Sequence, residues 1–124
     1  MTLTQIGTDT KAKKKTGLKA AEPAQISTLI EYGEDAIVSR TLVENDAGTV
    51  TLFAFDEGQG LSEHTAPFDA LVQIVDGESE IIIGGAPNKV KEGDLILMPA
   101  NIPHALRATK RFKMILTMLR KKPV

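Results

Sequence analysis

Short apolar, β-branched runs separated by turn residues fill most of this chain. Residues 26–32, 36–43 and 49–55 are such runs, and glycine or aspartate follows each of them closely. β-Branched and aromatic residues favour strands, and turn residues at this spacing favour short strands. No window of about a dozen residues has apolar residues near the helical spacing of 3.6, so no helix is predicted. The pattern predicts about nine or ten strands from Ile26 to Leu119 in an all-β sandwich or barrel.

Glycine turns punctuate the second half of the chain. Asp76 and Gly77 form the strongest hairpin signal, because an Asp-Gly pair suits the tight turns that reverse a chain between two strands. Gly84 and Gly85 predict the next turn, and Gly93 predicts another.

Length and composition indicate one folded domain. The 124 residues suffice for a single hydrophobic core, and 42% apolar with 25% charged residues is ordinary for a globular chain. Residues 1–24 contain five lysines and little periodicity. They predict a flexible basic arm ahead of a folded domain of residues 25–124.

Several functional classes are disfavoured. The chain has no cysteine, so it has neither disulfides nor thiolate metal ligands. No aromatic residues lie between the N-terminal lysines to stack on bases, so we expect no nucleic-acid partner. No apolar run approaches the ~20 residues that span a bilayer, and the first residues lack the apolar core of a signal peptide. We therefore expect a cytoplasmic protein without a membrane partner.

The only two histidines of the chain lie in similar surroundings. His64 belongs to the stretch 58–77 and His104 to the stretch 93–107. Each stretch combines a glycine turn, a short apolar strand and one histidine. Histidines at matching places in successive hairpins predict one shared pocket.

The two stretches resemble the paired motifs of a small cupin, and the resemblance covers residues 50–119. Six residues hold motif positions: Gly58, His64 and Gly77 in the first motif, and Gly93, Pro99 and His104 in the second. The 15 residues between the motifs suit the compact members of the family. The resemblance implies a jelly-roll barrel, that is, a double-stranded β-helix.

The chain also departs from the motifs. Ala66 stands where the first motif has its second histidine, Ala70 where it has a glutamate, and Asn101 where the second motif has a glycine. Of the four metal-ligand positions that the resemblance implies, only those of His64 and His104 keep a donor. Two imidazoles and two methyl groups are therefore expected at the barrel mouth.

Strand alternation and the resemblance together predict the residues that line the pocket: Ser62, His64, Ala66, Ala70, Val72 and His104. One interpretation is a module that binds a small, mostly apolar molecule in the barrel mouth without a metal. The alternative is a dioxygenase- or isomerase-like enzyme in which His64 and His104 hold a divalent Zn, Fe, Mn, Ni or Cu ion, with water or a substrate chelate as further ligands. A hydrogen-bonded histidine pair without a chemical role stays open as well. The sequence identifies no catalytic residue.

Open sheet edges predict association. A jelly roll leaves strand edges that are usually paired or covered, so we expect a homodimer. The runs 26–32 and 36–43 are apolar enough to pair between subunits. The basic chain ends would then face the acidic middle of the partner across a two-fold axis.

Overall fold

The structure, a computed structural model, describes residues 17–120 of the chain. Within these residues eight strands form and no α-helix does: β1 (Ile37–Asn45), β2 (Gly48–Phe55), β3 (Gly60–His64), β4 (Asp69–Ile83), β5 (Ala86–Lys91), β6 (Leu95–Met98), β7 (His104–Arg107) and β8 (Phe112–Leu119). The prediction of an all-β fold is confirmed. The same part of the chain contains no helix long and apolar enough to span a membrane.

The predicted arm, residues 1–24, falls partly outside the described residues. Its first 16 residues are not among them. Residues 17–24 are exposed, and the Leu18 amide donates to the Leu42 carbonyl of β1 at 3.1 Å.

β4 is the strand that joins the two sheets of the barrel. Its first half lies between β6 and β8, and its second half lies between β5 and β7. The first sheet therefore has the order β1-β2-β8-β4-β6, and the second has the order β5-β4-β7-β3. Every pairing is antiparallel.

Gly77 allows β4 to continue from one sheet into the other. Its φ is +75°, and a Cβ atom there would lie 1.8 Å from the Arg111 carbonyl oxygen. The β4–β8 register shifts between Ile74 and Asp76, which marks a β-bulge. The predicted hairpin at Asp76 and Gly77 was therefore wrong, because the glycine bends one long strand instead of reversing the chain.

The turn predicted at Gly84 and Gly85 is confirmed. Both residues have positive φ values, 58° and 84°, and they join β4 to β5. Two central residues with positive φ are typical of the tight hairpin turn whose twist matches that of the strands. With β4 counted once and residues 26–32 outside the sheets, the predicted nine or ten strands become eight.

The main core lies between the two sheets. Phe55 and Phe112 are fully buried there, and their rings stack with centroids 4.5 Å apart. Along β4, Ala70, Val72 and Ile74 point into this core while the residues between them face outward. The period of two along β4 is what the sequence predicts for a strand with one buried face.

Residues 26–36 form a covering segment, and the strand predicted for residues 26–32 was wrong. Ile26–Thr28 are a short 3₁₀ helix. The Thr28 hydroxyl donates to the Gln25 carbonyl at 2.8 Å, and the Leu29 amide donates to the Ile26 carbonyl at 3.2 Å. These bonds satisfy backbone and side-chain groups of the first turn locally instead of in a strand ladder.

The covering segment packs on the outer face of the first sheet. Ile30 is buried there with Leu52 and Ala54, which alternate along β2 with the core residues Phe53 and Phe55. The apolar residues of the segment thus bury a second, smaller cluster on the side of the sheet that the main core does not use.

Polar contacts of Tyr32 hold the covering segment against the first sheet. Its hydroxyl donates to the Asp76 carboxylate, and the Arg111 guanidinium lies 4.7 Å from its ring centroid, within cation–π range. Burial raises the pKa of Tyr32, and the hydrogen bond to Asp76 raises it further, so the phenol stays a donor. Arg111 also binds Asp56 at 2.9 Å, which lowers the pKa of that carboxyl.

We predict that Gly77→Ala lowers the free energy of unfolding by roughly 3–5 kcal/mol, because a Cβ atom adds a backbone clash to left-handed strain. Gly85→Ala is the matched control, since Gly85 also has positive φ but has no atom within 4 Å of an added Cβ. The control should lose only about 1–2 kcal/mol. Urea denaturation of both variants measures the difference, and equal losses would contradict the role assigned to Gly77.

Candidate functional site at the histidine pair

β3 and β7 bring the two histidines together. His64, the last residue of β3, is the direct cross-strand partner of His104, the first residue of β7. Their Nε2 atoms lie 3.1 Å apart, and the rings meet edge to face with centroids 4.4 Å apart. His104 also pairs with Ile83 of β4, so the second sheet holds it on both sides.

A bulge in β3 turns His64 to the same side of the strand as Leu61, next to His104, and His64 itself stays exposed. Leu61 pairs with Leu106 and His64 pairs with His104, so Ser62 and Glu63 of β3 together face Ala105 of β7. Opposed residues of an antiparallel pair share a face, which puts Leu61 and His64 on the same side as the buried Leu106 and His104. The simple alternation from Ser62 to His64 used for the sequence prediction does not hold across this bulge.

A backbone carbonyl two residues earlier fixes each ring. His64 Nδ1 lies 2.8 Å from the Ser62 carbonyl oxygen, and His104 Nδ1 lies 3.2 Å from the Ile102 carbonyl oxygen. A carbonyl can only accept a hydrogen bond, so both Nδ1 atoms carry the hydrogen in the neutral rings. Both Nε2 atoms then present lone pairs, and these lone pairs converge.

Two lone pairs that face each other at 3.1 Å repel unless a cation lies between them. A proton can fill this role, because the distance is that of a normal hydrogen bond between nitrogen atoms. A metal ion can also fill it. Imidazole nitrogens bound to one tetrahedral zinc ion at about 2.0–2.1 Å stand roughly 3.3–3.4 Å from each other, so the observed separation of 3.1 Å is slightly shorter than a tetrahedral pair requires. If the two rings move apart by about 0.2–0.3 Å, the pair fits two coordination positions of a transition metal.

The described residues offer no third metal ligand beside the pair. Within residues 17–120 no group of three or more His, Cys, Asp or Glu side chains is arranged to hold a metal ion. The complete four-ligand set that the resemblance implies therefore does not fit this part of the chain. A two-histidine chelate is what its side chains can supply.

The other predicted pocket residues have different surroundings. Ala70 and Val72 belong to the main core, where Ala70 lies between Met98 of β6 and Met118 of β8. Ala66 is half-buried in the loop after β3. Ser62 is exposed, and its contribution is the carbonyl that holds His64.

Backbone hydrogen bonds tie the loops on either side of the pair. The Asn101 amide donates to the Ala66 carbonyl at 2.7 Å, and the Ala100 amide donates to the Asp69 carboxylate at 2.9 Å. Asn101 has a φ of 65°, a left-handed conformation that asparagine tolerates better than most residues. This explains how Asn101 can occupy the position of the motif glycine. Sequence reasoning missed the hydrogen bond through Asp69, for which an acidic residue shortly after Pro67 was the only signal.

Burial sets the proton affinity of His104. The side chain is 5% exposed, and burial lowers its pKa because the charged ring loses hydration. Positive charge on the adjacent His64 lowers the pKa further, while the hydrogen bond to Ile102 acts in the opposite direction.

Comparisons with known proteins show the family and the fold. The family model for the cupin domain matches residues 51–119. A conserved protein of unknown function from Streptococcus pyogenes is 36% identical with a TM-score of 0.80, over 86% of this chain and 93% of that one. A cupin superfamily protein from Desulfitobacterium hafniense is 30% identical with a TM-score of 0.78, over 84% and 95%. A cupin 2 conserved barrel domain protein from Leptotrichia buccalis is 42% identical with a TM-score of 0.74, over 77% and 46%. No curated protein matches.

We predict that His104 makes the fold less stable in mild acid. Its pKa in the folded state lies below the usual 6.5, so the unfolded chain binds more protons as the pH falls through that value. The free energy of unfolding should therefore decrease between about pH 7.5 and about pH 5.5. In His104→Gln the decrease should be smaller. Urea denaturation across this range checks the prediction, and identical pH slopes for both proteins would contradict it.

Proposed function

Because this chain belongs to the cupin family, we propose that its barrel mouth binds a small molecule and that His64 and His104 recognise it. The observation that carries the proposal is the convergence of two Nε2 lone pairs at 3.1 Å, with both rings fixed through Nδ1. Two such nitrogens can accept hydrogen bonds from a ligand or bind a cation, which supports a role in recognition.

In the form that we favour, the pair holds a divalent transition metal. Imidazole nitrogen suits zinc, iron, copper and nickel. Two protein donors leave at least two positions of a tetrahedral ion for other donors. The ligand class is therefore a small molecule with two neighbouring oxygen donors, such as an α-hydroxy or α-keto acid, which would complete the coordination. A metal bound in this way would polarise the oxygen atoms of the ligand.

The surroundings favour a ligand with an apolar part as well. Ile83 is the β4 neighbour of His104, and Leu61 lies on the same side of β3 as His64. Both side chains pack against the main core. A ligand that reaches the pair therefore meets apolar side chains beside the buried His104, where reduced hydration strengthens polar contacts, while His64 is exposed.

We predict that the protein binds one zinc or cobalt(II) ion per chain and that His64→Ala and His104→Ala each weaken this binding by at least about 100-fold, because each removes one of two donors. Ser62→Ala is the matched control, since it keeps the carbonyl that holds His64. Equilibrium dialysis followed by elemental analysis measures the affinity. Unchanged binding in both histidine variants would end the metal form of the proposal.

A metal-free binding module is the second candidate. The methyl group of Ala66, at a position where the resemblance implies a metal ligand, and the lack of a third donor among residues 17–120 favour it. In this form a small-molecule library should reveal a stabilising ligand in the presence of a chelator. A ligand at 100 times its dissociation constant adds about 2.7 kcal/mol, which a thermal-shift assay detects. If neither metal nor library compound binds, the barrel mouth is not a binding site and the proposal fails.

A further inference from the structure

The strands that hold the histidine pair face strands of the first sheet across the barrel. β7 and β8 are joined by residues 108–111 and both pair with one side of β4, whereas β5 and β6 pair with its other side. β3 and β2 are joined by residues 56–59 and lie next to β7 and β8 respectively. Because β4 bends from one sheet into the other at Gly77, β8 faces β7 and β2 faces β3.

Two rows of side chains face each other at the end of the barrel away from this bend. The row in the first sheet consists of Thr49, Met118, Ala70 and Met98. The row in the second sheet consists of His64, His104, Ile83 and Ala86. Opposed residues of an antiparallel pair share a face, and Ala70 and Met98 belong to the main core, so the first row faces inward. Thr49 on β2 therefore lies across the barrel from His64 on β3.

The hydroxyl of Thr49 is a buried polar group. Its Oγ1 atom is the only buried side-chain nitrogen or oxygen within residues 17–120 that makes no hydrogen bond. Glu44 lies opposite Thr49 on β1, but its carboxylate lies 4.0 Å from the Arg120 guanidinium instead. An enclosed hydroxyl without a hydrogen bond costs free energy, and valine would fill nearly the same space without this cost. The stability of the fold therefore does not explain a threonine at this position.

The two rows contain polar side chains in only two places. Thr49 supplies one of them in the first sheet, and the histidine pair supplies the other in the second sheet. Met118 lies beside Thr49 and Ile83 lies beside His104, and both of these apolar side chains pack against the main core. A small molecule between the rows therefore meets a hydrogen-bonding group on each side and hydrocarbon side chains between them.

We propose that Thr49 is a further recognition residue of the barrel mouth, whose hydroxyl forms a hydrogen bond with the far end of the molecule that the histidine pair holds. This inference rests on the proposed function and narrows its class of ligand. A threonine hydroxyl can both donate and accept a hydrogen bond, so its partner on the ligand is a hydroxyl or a carbonyl group. The bound ligand satisfies the buried Oγ1 atom.

The ligand class is an α-hydroxy or α-keto acid with a second hydroxyl or carbonyl group at its other end. Its acid end reaches the histidine pair, and its other end reaches Thr49. Sheets that face each other lie about 10 Å apart, and the side chains of both rows take up part of this distance. A few carbon atoms therefore separate the two polar ends, and these carbon atoms contact the apolar side chains of the rows.

The stability of the ligand-free protein tests the status of the hydroxyl. Thr49→Val should unfold at the same urea concentration as the wild type or at a higher one, because the substitution removes a buried hydroxyl that makes no hydrogen bond. Thr117→Val is the matched control, since Thr117 is also a half-buried threonine of the first sheet but pairs with Val50 and Leu71 of its outer face. The control should change little. A lower midpoint in Thr49→Val overturns the proposal, because the hydroxyl would then have a structural role.

A pair of matched probes tests recognition. The probes are unbranched six-carbon α-hydroxy acids, one with a terminal hydroxyl group and one without, and calorimetry measures their binding with zinc and with a chelator. Wild-type protein should bind the acid with the terminal hydroxyl about tenfold more tightly, the effect of one hydrogen bond. Thr49→Val should bind both acids equally, and Thr117→Val should behave as the wild type. Equal wild-type affinities, or a preference that survives in Thr49→Val, overturn the proposal.

The two proposals fail in different ways. If the acids bind equally and His64→Ala or His104→Ala weakens both, the histidine pair keeps its proposed role and the role of Thr49 is overturned. If neither acid binds, the ligand class assigned here is overturned, while the zinc affinity of the histidine variants decides the metal form of the proposed function separately.

Discussion

The close approach of the Gly77 backbone to the Arg111 carbonyl is the contact on which both sheets depend. A Cβ atom at this position would lie 1.8 Å from that oxygen, so only glycine lets β4 run on from the first sheet to the second. β4 pairs with four of the other strands, two on each side of the bend. The core residues of its first half and Ile83, the neighbour of His104, therefore belong to one strand. The continuity of β4 therefore fixes the position of the histidine pair relative to the main core.

Backbone atoms, more than side chains, define the histidine site. The carbonyls of Ser62 and Ile102 determine which ring nitrogen carries the hydrogen, and the β3 bulge turns His64 towards His104. The amide of Asn101 ties the neighbouring loops together. Within residues 17–120 the further side-chain donors of a four-ligand centre are absent, and a backbone carbonyl orients each of the two histidine rings. Two oriented histidines without further protein donors suit a site in which the bound small molecule supplies the remaining donors.

Local patterns in the sequence predicted the strands, the turn at Gly84 and Gly85, and the meeting of the two histidines. Contacts between residues that are far apart in the sequence account for the features that local patterns did not predict. The sequence pattern of Asp76 and Gly77 predicted a hairpin. In the structure the backbone of Gly77 packs against the carbonyl of Arg111, and the two residues form a bend within β4. Residues 26–32 have strand-like composition, but they bury Ile30 on a finished sheet face. The tautomer of each histidine ring depends on a backbone carbonyl oxygen. Every residue has such an oxygen, so the sequence contains no signal for the tautomer.

The claim that both Nε2 atoms present converging lone pairs is tested most directly by ¹⁵N NMR of the two histidine rings in alkaline buffer, because a neutral imidazole carries its one hydrogen on either Nδ1 or Nε2. The account predicts a hydrogen on Nδ1 and none on Nε2 in both rings of the metal-free protein. It also predicts that one equivalent of zinc shifts both Nε2 resonances and leaves both Nδ1 atoms protonated. A hydrogen on either Nε2 before zinc is added, or Nε2 resonances that do not respond to zinc, would contradict it.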